Sequence, residues 1–451
     1  MPPVKKKSFY IISLGCPKNL VDAEVMAALL IRGGYRLVKS PGAAAVIIVN
    51  TCAFILPAKE EAIETILTAA AYKQTAACRL LVVTGCLPQR YGSELVAALP
   101  EVDLFLGTAE TPHIAAHLDR LETGAGPAAA IAPDKPAFLM TAAHSRLLMT
   151  PPHTAYLKIG EGCSNRCSYC IIPDLRGPAR SRPPADILAE ARKLVGQGVK
   201  ELIIIAQDTT AYGGDLPGRP TLPRLLQELA ALEGLVWLRL LYSHPARITP
   251  ELVRCLAREE KICSYLDMPV QHIDDEILQA MNRRGDSRLI RETIRMVREE
   301  GPDIALRTSL IVGFPGETKR KFDGLVDFIR EARFDHLGVF TYSPEEGTAA
   351  APLSSRISAK EKRRRQELLL EEQTAVSAAI LARQIGTVLE VLIEEKSDRT
   401  DYPFIGRNRR QAPEIDGVTF VRGKGLRPGR LVPVRIRGAD TYDLYGEVID
   451  N

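Results

Sequence analysis

The sequence predicts an α/β protein in three parts: an N-terminal open parallel sheet with helices on both faces, a central partial (βα)6 barrel, and a small C-terminal antiparallel β-barrel. Three observations carry this. Short apolar runs alternate with helix-period segments through the first third, the alternation recurs at a larger step through the middle, and beyond residue 386 strand-like runs follow one another with no helical period. At 451 residues the chain has length for about three domains. Its 46% hydrophobic and 25% charged residues are ordinary globular composition, which excludes a disordered, fibrous or coiled-coil chain. A net charge of +4 is not the field of a protein that coats a polyanion.

Taken in order, runs at 9–15, 46–50, 80–84 and 102–107 read as buried strands bounded by Gly or polar residues. Segments 21–31 and 59–72 carry apolar residues at helical spacing between them. From 123 to 154 the composition shifts to Ala, Gly and Pro, a linker that closes a first domain at 1–135. Six strand candidates follow at 155–159, 201–206, 236–242, 264–269, 305–312 and 337–342, with helical patterns such as 185–197 and 250–259 between them. Each unit is about 35–40 residues, the size of one barrel step, and six of them make an open barrel rather than the closed eightfold form. A long charged helix at 360–383 ends this domain, 136–383. Runs at 388–394, 418–421, 431–436 and 445–448 give 384–451 as the small barrel.

The basic start is followed by about six apolar residues, too few for a secretory core or a membrane span. The expectation is a cytoplasmic protein with no membrane contact. In a reducing compartment the nine cysteines are tested for metal or redox chemistry before disulfides.

Cys163, Cys167 and Cys170 stand in GEGCSNRCSYC, just after the first middle-domain strand. Three thiolates on one tight loop can hold three irons of a [4Fe–4S] cluster and leave the fourth without a protein ligand. A structural zinc site wants four closed ligands, and no fourth Cys or His lies near. Cys16, Cys52 and Cys86 each sit at or just beyond the carboxyl end of a predicted parallel strand, the edge where open α/β sheets bind ligands. Any one of them alone reads as a small buried hydrophobe. All three at equivalent strand ends favour a second cluster, again with an open iron. Cys78, Cys255 and Cys263 share no such placement and read as core.

The C-x3-C-x2-C loop with an aromatic before its last Cys resembles the radical S-adenosylmethionine (SAM) superfamily. With the N-terminal three-cysteine domain and the C-terminal barrel, the whole chain resembles the methylthiotransferase family, whose small barrel is called the TRAM domain. SLGCPKNLVDAE at 13–24 and QAPEIDG at 411–417 resemble the RimO branch, which modifies a ribosomal protein. Ala23 departs from that pattern, where Ser is expected.

The resemblance implies two [4Fe–4S] clusters, one at Cys163, Cys167 and Cys170 and an auxiliary one at Cys16, Cys52 and Cys86. It implies that SAM chelates the open iron of the first and is cleaved to a 5′-deoxyadenosyl radical, and that the second supplies or holds sulfur. The implied product is 3-methylthioaspartate on the small-subunit ribosomal protein of the decoding centre, and the implied electron donor is a flavodoxin or ferredoxin. Methylthiolation of a transfer-RNA adenosine is the alternative, and a non-catalytic iron–sulfur RNA-binding module is the alternative of another class.

Candidate SAM-positioning residues lie at the barrel strand ends. Gln207 and Asp208 close the second strand, Ser243 and His244 the third, Gln271 and His272 the fourth, and Gly313 and Gly316 the fifth, where the backbone could approach a cofactor closely. A turn or cap role is the alternative for each polar residue. The pair Arg283 and Arg284 reads as a solvated helix end, and the run 363–365 as a solvated helix face. TRAM barrels often contact RNA, yet residues 384–451 carry eleven basic and eleven acidic side chains. A module that neutralises several phosphates would show a basic excess. This favours a protein substrate and leaves a weak RNA contact, for which 407–410 (RNRR) is the candidate patch.

Overall fold

In the computed structural model, which describes residues 7–123, 129–133, 136–354 and 356–449, the first unit is a six-stranded parallel sheet. Its strands are β1 (Ser8–Ser13), β2 (Arg36–Leu37), β3 (Val46–Thr51), β4 (Leu80–Gly85), β5 (Leu104–Leu106) and β6 (Ala129–Ile131), in the order β2-β1-β3-β4-β5-β6. The alternation of β3 shows why it is buried on both faces. Val46 and Ile48 pack with Met26 and Leu30 of helix Pro17–Arg32, while Ile47 and Val49 pack with Ala62 and Ile66 of helix Leu56–Thr75. The strand order reverses between β1 and β3, which opens a crevice at their carboxyl ends.

The middle unit has β7 (Thr154–Lys158), the short pair β8 (Gly160–Glu161) and β9 (Arg180–Ser181), then β10 (Glu201–Ile205), β11 (Trp237–Leu240), β12 (Tyr265–Asp267), β13 (Ala305–Val312) and β14 (His336–Thr341). Strands β7, β10 and β11 form one parallel sheet and β12, β13 and β14 another, joined by a bridge between Leu238 and Ile262. Outward residues such as Leu157, Ile204 and Leu310 meet the surrounding helices through Ile187, Leu226 and Phe328. Inward, Tyr156, Ile203, Trp237 and Tyr265 form one cluster with Val21 and Val25 of the first helix and with Leu392 and Ala412 of the last unit. The interior of the partial barrel is thus sealed by side chains from both other units.

That last unit closes into a five-stranded barrel, β15 (Val388–Lys396), β16 (Phe404–Asn408), β17 (Thr419–Arg422), β18 (Leu431–Ala439) and β19 (Leu444–Val448), around Val391, Ile393, Val421, Val432, Val434 and Ile436. The long helix before it is Ala359–Ala382. Among the described residues no helix is long and apolar enough to cross a membrane.

The sequence expectation lacks the two-residue strands β2, β8 and β9, and also β6 and β16. Within the span read as a linker, β6 pairs in parallel with β5, an edge strand held by backbone hydrogen bonds that its Ala-rich composition did not announce. Strand β16 was absent from the four expected, because its Arg407 and Asn408 look like loop residues. Both are buried, their polar groups paired across to the middle unit or within the barrel.

Candidate active site

The chain leaves β1 through Gly15, whose φ of +86° is open to glycine, and enters helix Pro17–Arg32 with Cys16 at its N-cap position and Pro17 in its first turn. Cys52 follows β3 directly and Cys86 follows β4. Asn19 ties these ends together: its amide donates to the carbonyls of Leu14 (3.1 Å) and Thr51 (2.8 Å), and Asn50 donates to its carbonyl at 2.7 Å. The three thiols share one neighbourhood. Burial, then the thiols of Cys86 and Cys16, push the Cys52 thiol up to about 12.

The second trio lies on the loop between β8 and β9. Gly162, at φ +79°, precedes Cys163; a Cβ there would overlap the Pro178 carbonyl. Burial, then the thiols of Cys167 and Cys163, push Cys170 up to about 12, against the pull of Arg283. All nine cysteines are free. Each trio offers free thiols, soft donors of the kind that hold iron–sulfur clusters, so the donor chemistry fits such a group. Cys78, Cys255 and Cys263 are buried in the core.

A buried charged network runs between the trios. Arg176, six residues past Cys170, donates to Asn19 and lies 3.7 Å from Cys86 Sγ, and its Nη1 reaches Asp22 at 2.6 Å and Glu161 at 3.4 Å. Lys158 bridges the same two carboxylates at 2.6 and 2.8 Å. Burial alone would raise the Glu161 carboxyl, but Lys158 and Arg176 outweigh it and hold the group well below its ordinary range. Glu161 then accepts from Gln207 at 2.5 Å. Sequence reasoning missed Glu161, Arg176 and Lys158. The available signal was a lysine inside the apolar strand TAYLKIG, which a buried ion pair must explain.

The predicted SAM-positioning residues have separate placements. Among the described residues Gln207 leaves its Oε1, and Ser243 its Oγ, buried without a partner. Asp208 is engaged by Arg247 (2.6 Å) and Asn165 (2.7 Å), so it clamps the cysteine loop. Gln271 adopts a left-handed φ of 72° and bridges to β13 through its backbone. The space beside Gly313 is filled by the stem of Lys362, and its N–H donates to Glu317 at 3.0 Å. His244 caps a turn by accepting from Ala246, and burial with Arg283 and Arg247 nearby pushes its ring down to about 3. His272 accepts from Asp274 and lies 3.3 Å from Glu317.

The arginine readings need correction. Arg283 is half-buried rather than a free solvated cation: it donates to the carbonyls of Pro269 and Val270 and approaches Cys167 Sγ at 3.7 Å, while Arg284 is exposed. Arg365 is buried on Glu317, unlike its exposed neighbours Arg363 and Arg364. The 407–410 patch is consumed by the barrel: Arg407 pairs with Glu201 at 2.5 Å, Arg409 donates to the Ile262 carbonyl, and Arg410 pairs with Asp335 at 2.5 Å. Ala23 lies in the sheet's apolar core with Met26 and Ala27.

This fold, with a three-cysteine loop after the first strand of a six-stranded half barrel, defines an enzyme of the radical SAM class. Residues 157–329 match the Radical SAM superfamily, 8–107 the uncharacterized protein family UPF0004, and 385–449 the TRAM domain. The chain belongs to the RimO methylthiotransferase family. It is 58% identical, over 99% of its length and 100% of the relative's, to the ribosomal protein uS12 methylthiotransferase RimO of Syntrophus aciditrophicus (strain SB). It is 50% identical, over 98% and 99%, to that of Geobacter sulfurreducens. A solved radical SAM methyltransferase, TsrM of Kitasatospora setae, shares the fold with a TM-score of 0.56 at 15% identity over 76% of this chain and 75% of that one.

Proposed function

We propose that this chain is a radical SAM methylthiotransferase that replaces hydrogen on the β-carbon of an aspartate of ribosomal protein uS12 with a methylthio group. The uS12 substrate is the one named in its relatives. The aspartate is what the SLGCPKNLVDAE resemblance implies. Cys163, Cys167 and Cys170 would hold one [4Fe–4S] cluster and Cys16, Cys52 and Cys86 the other. When bound, the clusters and SAM supply what no side chain can: hydrogen removal from an unactivated carbon, and the sulfur and methyl groups of the product.

The chain's own part is placement. Asp208 and Arg247 fix Asn165, and through it the loop that carries Cys163 and Cys167. Arg283 directs an N–H at Cys167, and Glu161 fixes the amide of Gln207. The observation that supports the proposal is the buried network from Cys86 through Arg176 and Glu161 to Gln207, whose neighbour Asp208 accepts from Asn165 of the second cysteine loop. Modification of transfer RNA finds no support in a third unit whose candidate phosphate patch is spent on ion pairs. A flavodoxin- or ferredoxin-type donor would supply the electron.

The test is anaerobic incubation of the reconstituted protein with SAM, a reductant and uS12, followed by mass spectrometry. The expected result is 5′-deoxyadenosine together with one methylthio group on one uS12 aspartate. Unmodified uS12 would refute the substrate, and absence of 5′-deoxyadenosine would refute the enzyme class in favour of a non-catalytic module.

A further inference from the structure

Burying an ammonium or guanidinium group is costly unless an anion answers it. The chain obeys this rule with one exception among its described residues. Each other buried lysine or arginine has a carboxylate within ion-pair distance, as Lys158 has Asp22 at 2.6 Å and Arg239 has Glu201 at 2.8 Å. Lys18 is 7% exposed and makes no hydrogen bond or ion pair among the described residues. Its Nζ instead stands 3.3 Å from the centre of the Tyr242 ring. A ring face offsets only part of an ammonium's desolvation, and beside the neighbouring Cys16 thiol the chain supplies Lys18 with no carboxylate partner among the described residues.

The place of that deficit is informative. Lys18 lies two positions beyond Cys16, in the first turn of its helix at the ligand edge of the sheet. Tyr242 follows β11 at the carboxyl rim of the barrel, so the ammonium bridges the two ligand edges. Tyr242 is held there in a left-handed conformation, φ +64°, unusual for an aromatic residue. Its N–H donates to Asp267 Oδ2 and its carbonyl accepts from the Thr209 N–H, both at 2.9 Å. Strain of this kind persists where surrounding contacts over-determine it, commonly at a working site. The next residue, Ser243, keeps its hydroxyl buried and unpartnered among the described residues. The nearby carboxylates are already taken, Asp267 by Arg307 at 3.1 Å and Glu161 by Lys158 at 2.8 Å.

We propose that Lys18, carried on the face of Tyr242, recognises the carboxylate of the acidic side chain that the substrate protein presents for modification. The inference rests on the function proposed above and makes Lys18 the residue that selects aspartate over its neutral isostere. SAM also carries a carboxylate, and the test separates the two.

Binding of uS12, and of uS12 with Asn in place of the target aspartate, is measured by titration on wild-type, Lys18→Met and Lys18→Arg chains, alongside SAM binding. The wild type is expected to prefer the aspartate form at least tenfold, Lys18→Met to bind both forms alike, and Lys18→Arg to restore much of the preference. Equal binding of the two forms by the wild type overturns the inference without recourse to any variant. So does a preference that survives in Lys18→Met. Loss of SAM affinity in Lys18→Met with the aspartate preference intact overturns it too, and assigns the ammonium to SAM. If wild-type turnover leaves uS12 unmodified, the functional reading falls and this inference with it; where only this inference fails, the wild type still modifies uS12.

Discussion

Arg283 shows how much a single side chain's environment decides. As part of MNRRGD it reads as a solvated cation, and its neighbour Arg284 is one. The structure turns Arg283 inward, where carbonyls of the β12 exit hold it and an Nη1–H points at Cys167 Sγ at 3.7 Å. Hydrogen bonds and positive charge at a ligand sulfur favour the more reduced, more negative state of a cluster. Arg283→Met is therefore expected to make the cluster held by Cys163, Cys167 and Cys170 harder to reduce. One charge-assisted hydrogen bond corresponds to a shift on the order of 60 mV for a one-electron couple. A redox titration followed by electron paramagnetic resonance checks this, and an unmoved midpoint would assign Arg283 to loop packing alone. The distinction between the two arginines was not legible in the sequence, because it depends on the carbonyls of Pro269 and Val270 in another segment.

At the scale of elements, both trios depend on glycines that let a strand end turn tightly into its cysteine. At Gly15 a Cβ would stand 2.5 Å from Cys52 Cβ, and at Gly162 it would overlap the Pro178 carbonyl; both have φ near +80°. Gly15→Ala and Gly162→Ala should each cost about 1–3 kcal/mol through backbone strain alone. Each should lower iron from about eight to about four per reconstituted chain, for two four-iron clusters. They should differ in chemistry: Gly162→Ala loses SAM cleavage, whereas Gly15→Ala keeps 5′-deoxyadenosine formation and loses sulfur insertion. Iron analysis beside a 5′-deoxyadenosine assay tests this, and identical phenotypes would count against two separable trios. Much at this scale could be read in advance. All six central strands and four of the five in the last barrel follow from apolar runs, since buried parallel strands are nearly continuous in Val, Ile and Leu. Strands β6 and β16 escaped because backbone pairing holds the first and ion pairs satisfy the second, and β2, β8 and β9 because two residues each are too short to carry a hydrophobic signature.

Over the whole molecule the three units are joined by charge as much as by apolar surface, and contacts between residues hundreds of positions apart leave no local trace in a sequence. Glu201 at the start of β10 is the central case: fully buried, it meets Arg239 of β11 at 2.8 Å and Arg407 of β16 at 2.5 Å. Burial by itself would raise its carboxyl, but Arg407 and Arg239 outweigh that and hold it at about 2. A carboxyl whose folded value lies below its unfolded value stabilises the fold above the unfolded value, and that contribution is lost as pH falls through the interval between them. From an ordinary 4.5 to about 2 the loss amounts to about 3 kcal/mol. Glu201→Gln leaves two buried guanidinium groups without their shared anion, a cost of about 3–5 kcal/mol at neutral pH. The variant should thus fall furthest below wild type near pH 7, and the gap should narrow between pH ~4.5 and ~2 as wild-type Glu201 takes up its proton. The probe is built in: Trp237, the sole tryptophan, is buried in the cluster that joins the middle unit to Leu392 and Ala412 of the last. Urea titrations followed by its fluorescence across that pH range measure the gap directly. Curves for wild type and variant that stay parallel down to pH ~2 would mean that Glu201 does not carry the linkage, and that the last barrel is held to the middle unit by its other ion pairs, such as Arg410 with Asp335, and by its apolar contacts.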